Sequence, residues 1–113
     1  MQRDRLYLTG MADACAQIVD LTDGRSLAEF EREPTVRESL LWNFTVLGEA
    51  ANQVSEGVRE AHPDVPWRRA TSLRNRIVHG YWAIEMDVIL TTAREVVPGM
   101  LDRLRSAAAD PGG

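Results

Sequence analysis

The sequence predicts an all-α protein: an antiparallel bundle of four main helices plus a short one, with the last helix kinked at Pro98. Three observations lead there. Apolar residues recur at spacings of three and four along almost the whole chain, which lines one face of an α-helix. No segment alternates apolar and polar residues with period two. The pattern is interrupted only by short stretches rich in Gly, Pro and Asp, which suit tight connections between antiparallel neighbours.

The elements follow in order. Leu8, Met11, Cys15 and Ile18 mark one face of a first helix over residues 4–21, stopped near Asp23-Gly24. Ser26-Leu27-Ala28-Glu29 has the form of a capping box, in which a hydroxyl caps a backbone N–H and the Glu reaches back. Pro34 leaves room there for a short helix only. Thr35-Val36-Arg37-Glu38 reads as a second capping box and opens the longest helix, to residue 61. Leu40, Phe44, Leu47, Ala51, Val54 and Val58 form its core stripe. Leu41, Trp42, Val46 and Ala50 add apolar surface on other sides, so more than one neighbour should cover its middle. Gly57 inside this pattern costs about 1 kcal/mol of helix propensity.

His62-Pro63-Asp64-Val65-Pro66 breaks the chain, with His62 reading as solvent-facing in a loop. Pro66 suits a helix start, where its missing N–H is not needed. A helix over residues 66–79 buries Ala70, Leu73 and Ile77, and Gly80 stops it. The last helix, 84–107, turns Met86, Ile89, Ala93, Val97, Met100 and Leu104 inward. Pro98 should kink it or split it in two, because it removes a donor and crowds the preceding turn. Residues 1–109 read as one domain and 110–113 as a frayed tail.

A chain of 113 residues supports one core but keeps a large surface fraction, so a partner subunit would help it. The composition, 44% hydrophobic and 27% charged, is that of a soluble globular protein. A net charge of −4 argues against the basic field of most nucleic-acid binders. The distribution softens this. All 13 basic residues are arginine, and Arg68, Arg69, Arg74 and Arg76 fall close together. Arginine carries a planar fork that suits phosphate. The single cysteine, Cys15, excludes an intrachain disulfide and sits among Met11, Ala12 and Ile18 as a small apolar residue. No apolar run approaches the ~20 residues that span a bilayer. The charged start, Met1-Gln2-Arg3-Asp4-Arg5, lacks the apolar core of a signal peptide, and the reading is cytoplasmic.

Only two histidines exist, with no cysteine or carboxylate at ligand spacing, so no metal site and no cofactor is expected. Residues 74–81 stand apart. Asn75 and His79 are four apart and share a helix face, and the long Arg74 side chain can reach the same spot. One helix end thus presents a cation, an amide and an imidazole. Imidazole transfers protons near neutral pH. A guanidinium grips phosphate and stabilises charge developing on it. The trio suits cleavage of a phosphodiester by its own neighbouring 2′-hydroxyl, a route that needs no metal and selects RNA. The competing explanation is plain helix chemistry: cations favour a helix C-terminus and Asn can cap it.

Arg74-x4-His79-x-Tyr81, with Asn75 after the arginine, resembles the signature of HEPN-domain toxins. Asp64-Val65-Pro66-Trp67, the run Leu73 to Tyr81, and Asn43 with Gly48-Glu49-Ala50-Ala51 resemble the HepT branch of that family over nearly the whole chain. The resemblance implies a HEPN-type bundle, a homodimer whose motif helices line a shared cleft, and metal-independent endoribonuclease activity. It implies catalytic roles for Arg74 and His79 supported by Asn75; the clustered Arg68, Arg69 and Arg76 are read beside them as RNA-binding neighbours. It also implies a toxin–antitoxin pair of type II or VII, in which an MntA-like nucleotidyltransferase antitoxin transfers AMP onto Tyr81. Added phosphate there would obstruct the cleft and repel RNA. The alternative is a non-catalytic nucleotide-binding or regulatory subunit of a nucleotidyltransferase complex, which the acidic net charge favours. A plain dimeric scaffold leaves the motif unexplained. Trp67 and Trp82 read as core or seam residues more than base-stacking ones. Glu49 reads as buried with an arginine partner, in a structural ion pair ahead of a role in supporting the motif residues. Asn43 reads as satisfying buried backbone groups.

Overall fold

A computed structural model describes residues 2–110 and is all-helical there. The helices are α1 (Gln2–Thr22), α2 (Leu27–Arg32), α3 (Pro34–Gln53), α4 (Glu56–Ala61), α5 (Trp67–His79), α6 (Met86–Glu95) and α7 (Val97–Ala109). A 3₁₀ turn over Tyr81–Ala83 follows α5. Of the expected tail only Asp110 is described; the rest lies outside the described residues.

Three packing seams organise the bundle. α1 lies between α3 and α7, and α3 lies between α1 and α5. The order across the bundle is therefore α7, α1, α3, α5, with α5 at one margin. Neighbours run antiparallel. Asp4 at the start of α1 bonds Ser55, just past the end of α3. Gly48 of α3 meets Ala70 and Arg74 of α5, while Arg37, nearer the start of α3, meets Tyr81. Val19 near the end of α1 lines one groove with Pro98 at the start of α7. The core comprises the expected stripes: Leu8, Met11, Cys15 and Ile18 from α1, Leu40, Phe44, Leu47 and Ala51 from α3, and Met86, Ile89, Ala93, Val97, Met100 and Leu104 from α6 and α7. Burial pushes the Cys15 thiol up to about 12, as expected of a cysteine used as a hydrophobe.

Several expectations need correction. The Ser26 cap forms, its Oγ accepting from Glu29 N–H at 3.2 Å. Glu29 turns instead to Arg25, at 3.7 Å. The second capping box, Thr35 to Glu38, does not form: α3 already begins at Pro34, behind Glu33, which makes no side-chain cap. Pro at the first helical position costs no hydrogen bond, so it outcompetes a hydroxyl one residue later. The longest helix does not reach residue 61. It ends at Gln53, Val54 and Ser55 are extended, and α4 restarts behind Ser55. The cause is distant in sequence. Asp4 accepts hydrogen bonds from both Ser55 N–H and Ser55 Oγ, each 2.8 Å. Ser55 Oγ in turn accepts from Val58 N–H. Because Val54 and Val58 stay buried across the break, the apolar stripe conceals it.

The last helix is split, not merely bent. α6 ends before Val96 and α7 restarts with Pro98 in its first turn. Gly24 adopts φ +72°, the left-handed stop that α1 needs. Gly80 ends α5 without positive φ; its N–H donates to Arg76 C=O at 2.9 Å. His62 is half-buried, not solvent-facing. Its Nε2 lies 3.5 Å from Asp110 Oδ2, and its carbonyl accepts from Trp67 Nε1 at 2.9 Å. That bond ties the loop to the first turn of α5, and Trp67 also packs against the core, the place read for it. Asn43 is buried and donates to Ser39 C=O at 2.9 Å, as read from sequence.

The Asp4–Ser55 bond makes stability depend on acidity. Donation from Ser55 N–H, against the opposing effect of burial, holds the Asp4 carboxyl below its ordinary value, and Ser55 Oγ adds to this. A group depressed in the folded state stabilises the fold above its unfolded-state pKa. That stability is lost as pH falls through the folded value. Asp4→Ala is expected to cost about 2 kcal/mol, the loss of charge-assisted hydrogen bonds from Ser55 to a buried carboxylate. Thermal melts of wild type and variant should converge as pH drops below 4, because the unfolded aspartate value is about 3.9. A constant gap down to pH 2 would exclude the linkage.

Candidate active site

α5 holds the run picked out in the sequence. Ala70, Leu73 and Ile77 are buried against α3, which leaves Asn75, Arg76 and His79 exposed on its outer surface. Asn75 and His79 share a face, as their spacing requires. Arg74 is half-buried, at the edge of the α3–α5 seam.

The seam is unusually tight at one point. A Cβ on Gly48 would lie 2.2 Å from Arg74 Cβ, 2.5 Å from Ala70 O and 3.1 Å from Arg74 Cγ. Only glycine lets the two helices approach this closely, and the approach fixes the root of the Arg74 side chain. Its tip is held by two neighbours. Nη1 donates to Asn75 Oδ1 at 3.0 Å, and Nη2 sits 3.3 Å from Glu49 Oε2. Arg74 and Asn75 are thus brought together as expected. Glu49 has an arginine partner as read from sequence, but its carboxylate is 52% exposed, not buried.

Gly48→Ala is expected to push α5 off α3. The added methyl meets backbone as well as side chain, so the strain should cost about 1–3 kcal/mol. A denaturant melt measures it; a loss below 0.5 kcal/mol, within the usual range of surface substitutions, would show that the seam can open freely.

The remaining arginines divide. Arg69 and Arg76 line a shallow groove with Ser72, Leu73, Val88 and Thr92, on the α6 side of α5. Arg68 and Arg69 line another with Arg59, Val65, Pro66 and Trp67 at the start of α5. Arg74 instead lines a mostly apolar groove of about 400 Å³ with Tyr7, Trp42, Val46 and Ala50. The basic residues therefore surround α5 without forming a single patch.

Tyr81 is half-buried in the turn after α5. Its ring lies under the Arg37 guanidinium, 5.5 Å from Cζ to centroid, and meets the Trp82 ring edge-on at 5.3 Å. Trp82 is 96% exposed, so it closes no core within one chain. Sequence reasoning missed Arg37, which carries no signal of its own so far from the motif. It gave no role to the closeness of Gly48, although a glycine amid the apolar stretch of α3 was a usable hint. Among the described residues no group of three or more His, Cys, Asp and Glu could hold a metal ion.

The family model for "Ribonuclease HepT-like" matches residues 11–107, which include the whole of α5. The chain belongs to the HepT-like ribonuclease family. Relatives span it almost end to end. "Probable ribonuclease HepT" of Thermococcus cleftensis is 24% identical over 102 residues, covering 88% of this chain and 93% of that one. "Putative RNase TTE0752" of Caldanaerobacter subterraneus subsp. tengcongensis is 24% identical over 98 residues, covering 87% and 88%. "Putative RNase MJ0127" of Methanocaldococcus jannaschii is 24% identical over 106 residues, covering 94% and 88%. No solved structure matches. No helix among the described residues is long and apolar enough to cross a membrane.

Proposed function

We propose that this HepT-like chain is a metal-independent endoribonuclease and the toxin of a toxin–antitoxin pair, acting in the cytoplasm as a homodimer. The observation that carries the reading is the Arg74–Asn75 contact on α5, about one turn before the exposed His79 that ends the helix, in a ribonuclease family. Arg74 binds the scissile phosphate and offsets charge building on its oxygens. His79 serves the proton transfer, in which the 2′-hydroxyl gives up its proton and the departing 5′-oxygen gains one. The 2′-oxygen forms a bond to the adjacent phosphorus as the bond to the 5′-oxygen breaks, leaving a 2′,3′-cyclic phosphate and a 5′-hydroxyl. Asn75 steers Arg74, and Arg68, Arg69 and Arg76 bind flanking phosphates.

A second copy supports this chemistry in two ways. It would cover the apolar groove beside Arg74, where Trp42 is 66% exposed. It would also double the arginines available to RNA, offsetting the net charge of −4. Control falls to an MntA-like nucleotidyltransferase antitoxin that transfers AMP to Tyr81. The acidic net charge favours a second reading, a non-catalytic nucleotide-binding or regulatory subunit of a nucleotidyltransferase complex.

The 2′-hydroxyl requirement separates these readings. An RNA oligonucleotide should be cut, and its DNA and 2′-O-methyl counterparts should survive intact. Equal cutting of all three would exclude the transesterification. Binding without cutting would favour the regulatory subunit.

A further inference from the structure

We infer that Glu49 is a positioning residue for Arg74, an inference that rests on the ribonuclease reading above. Glu49 follows Gly48, a residue at which α3 and α5 pack too tightly for a side chain. The root of Arg74, Cβ and Cγ, is pinned there, but three further bonds of the arginine side chain remain free to rotate. Two acceptors fix the tip: Asn75 Oδ1 on Nη1 at 3.0 Å and Glu49 Oε2 on Nη2 at 3.3 Å. They act from different helices, so together they set the plane of the guanidinium relative to both.

The surroundings of Glu49 argue for this role. Its groove neighbours Tyr7, Trp42, Val46 and Ala50 are largely apolar, and Arg74 is the cation it meets. With its side chain 52% exposed, the pair adds little to folding. Each terminal nitrogen of Arg74 gives one N–H to these acceptors and Nε is buried, so the second N–H of each terminal nitrogen is what remains to meet phosphate. Holding has a cost in binding, because the same carboxylate repels an incoming phosphate. Orientation and affinity should therefore move in opposite directions when Glu49 is changed, which loss of fold integrity would not produce.

The test uses steady-state cleavage of a fluorogenic RNA oligonucleotide by wild type, Glu49→Ala, Glu49→Gln and Arg74→Ala. Glu49→Ala is expected to lower kcat roughly 10- to 100-fold, the scale set by a misplaced catalytic group. KM should fall, and the melting temperature should be unchanged. Glu49→Gln keeps an acceptor oxygen and should restore most of kcat while keeping the lower KM. Wild-type kcat in Glu49→Ala, with Arg74→Ala inactive, would overturn the role of Glu49 and leave the ribonuclease reading standing. A raised KM with unchanged kcat would overturn it as well, since Glu49 would then serve binding. No cleavage by wild type would overturn the ribonuclease reading, and this inference with it.

Discussion

His79→Ala is expected to lower RNA cleavage about 10²- to 10⁴-fold, the range that general acid–base catalysis contributes. The chain should stay folded, because His79 is exposed at the last position of α5 and fills no core space. Surface changes of this kind usually shift stability by less than about 0.5 kcal/mol. Arg74→Ala should cost a comparable 10²- to 10³-fold by removing charge stabilisation. It should also free Asn75 and Glu49 of their shared partner. If both residues act on one transition state, the double variant will be little worse than the weaker single one, since groups acting as a unit are not additive. Cleavage rates of the four proteins, measured beside their circular dichroism melts, check this. Full activity in both single variants would remove residues 74–79 from consideration.

The second large effect concerns control. Tyr81→Phe is expected to abolish adenylation completely and leave toxicity intact in the presence of the antitoxin. The phenylalanine ring can keep the contacts that hold Tyr81, under the Arg37 guanidinium and against the edge of Trp82. Only the oxygen is lost, and with it the nucleophile that would bond to the α-phosphorus of ATP as pyrophosphate leaves. Intact mass after incubation with the nucleotidyltransferase and ATP gives the readout. Wild type should gain adenylate and stop cutting RNA; Tyr81→Phe should gain none and continue. The same mass gain on both proteins would place the modification elsewhere.

What could be read in the sequence divides by range. Periodicity placed the buried stripes of α1, α3, α5, α6 and α7, because each is set by residues three or four apart. Pro98 announced the division between α6 and α7 for the same local reason. The α5 face holding Asn75 and His79 was legible because helix geometry alone fixes it. The break between α3 and α4 was not. It depends on Asp4 capturing Ser55 from the far end of the chain, while Val54 and Val58 keep the apolar rhythm intact. The start of α3 was misread because two local signals competed, and the proline prevailed over the hydroxyl.

The candidate site shows the same limit. Its motif residues were nameable, but the close approach at Gly48, the exposed Glu49 holding Arg74, and the stacking of Arg37 on Tyr81 are products of the α3–α5 seam. No spacing along one helix encodes them. They explain why a mid-helix glycine sits opposite the motif, and why an arginine at the seam is held at both its root and its tip.

The most direct measurement is digestion of total RNA by purified, unadenylated protein in excess EDTA, beside His79→Ala. The account requires cleavage by wild type alone, with fragments ending in 2′,3′-cyclic phosphate. No cleavage by folded, dimeric wild type, or cleavage equal to that of His79→Ala, would contradict it.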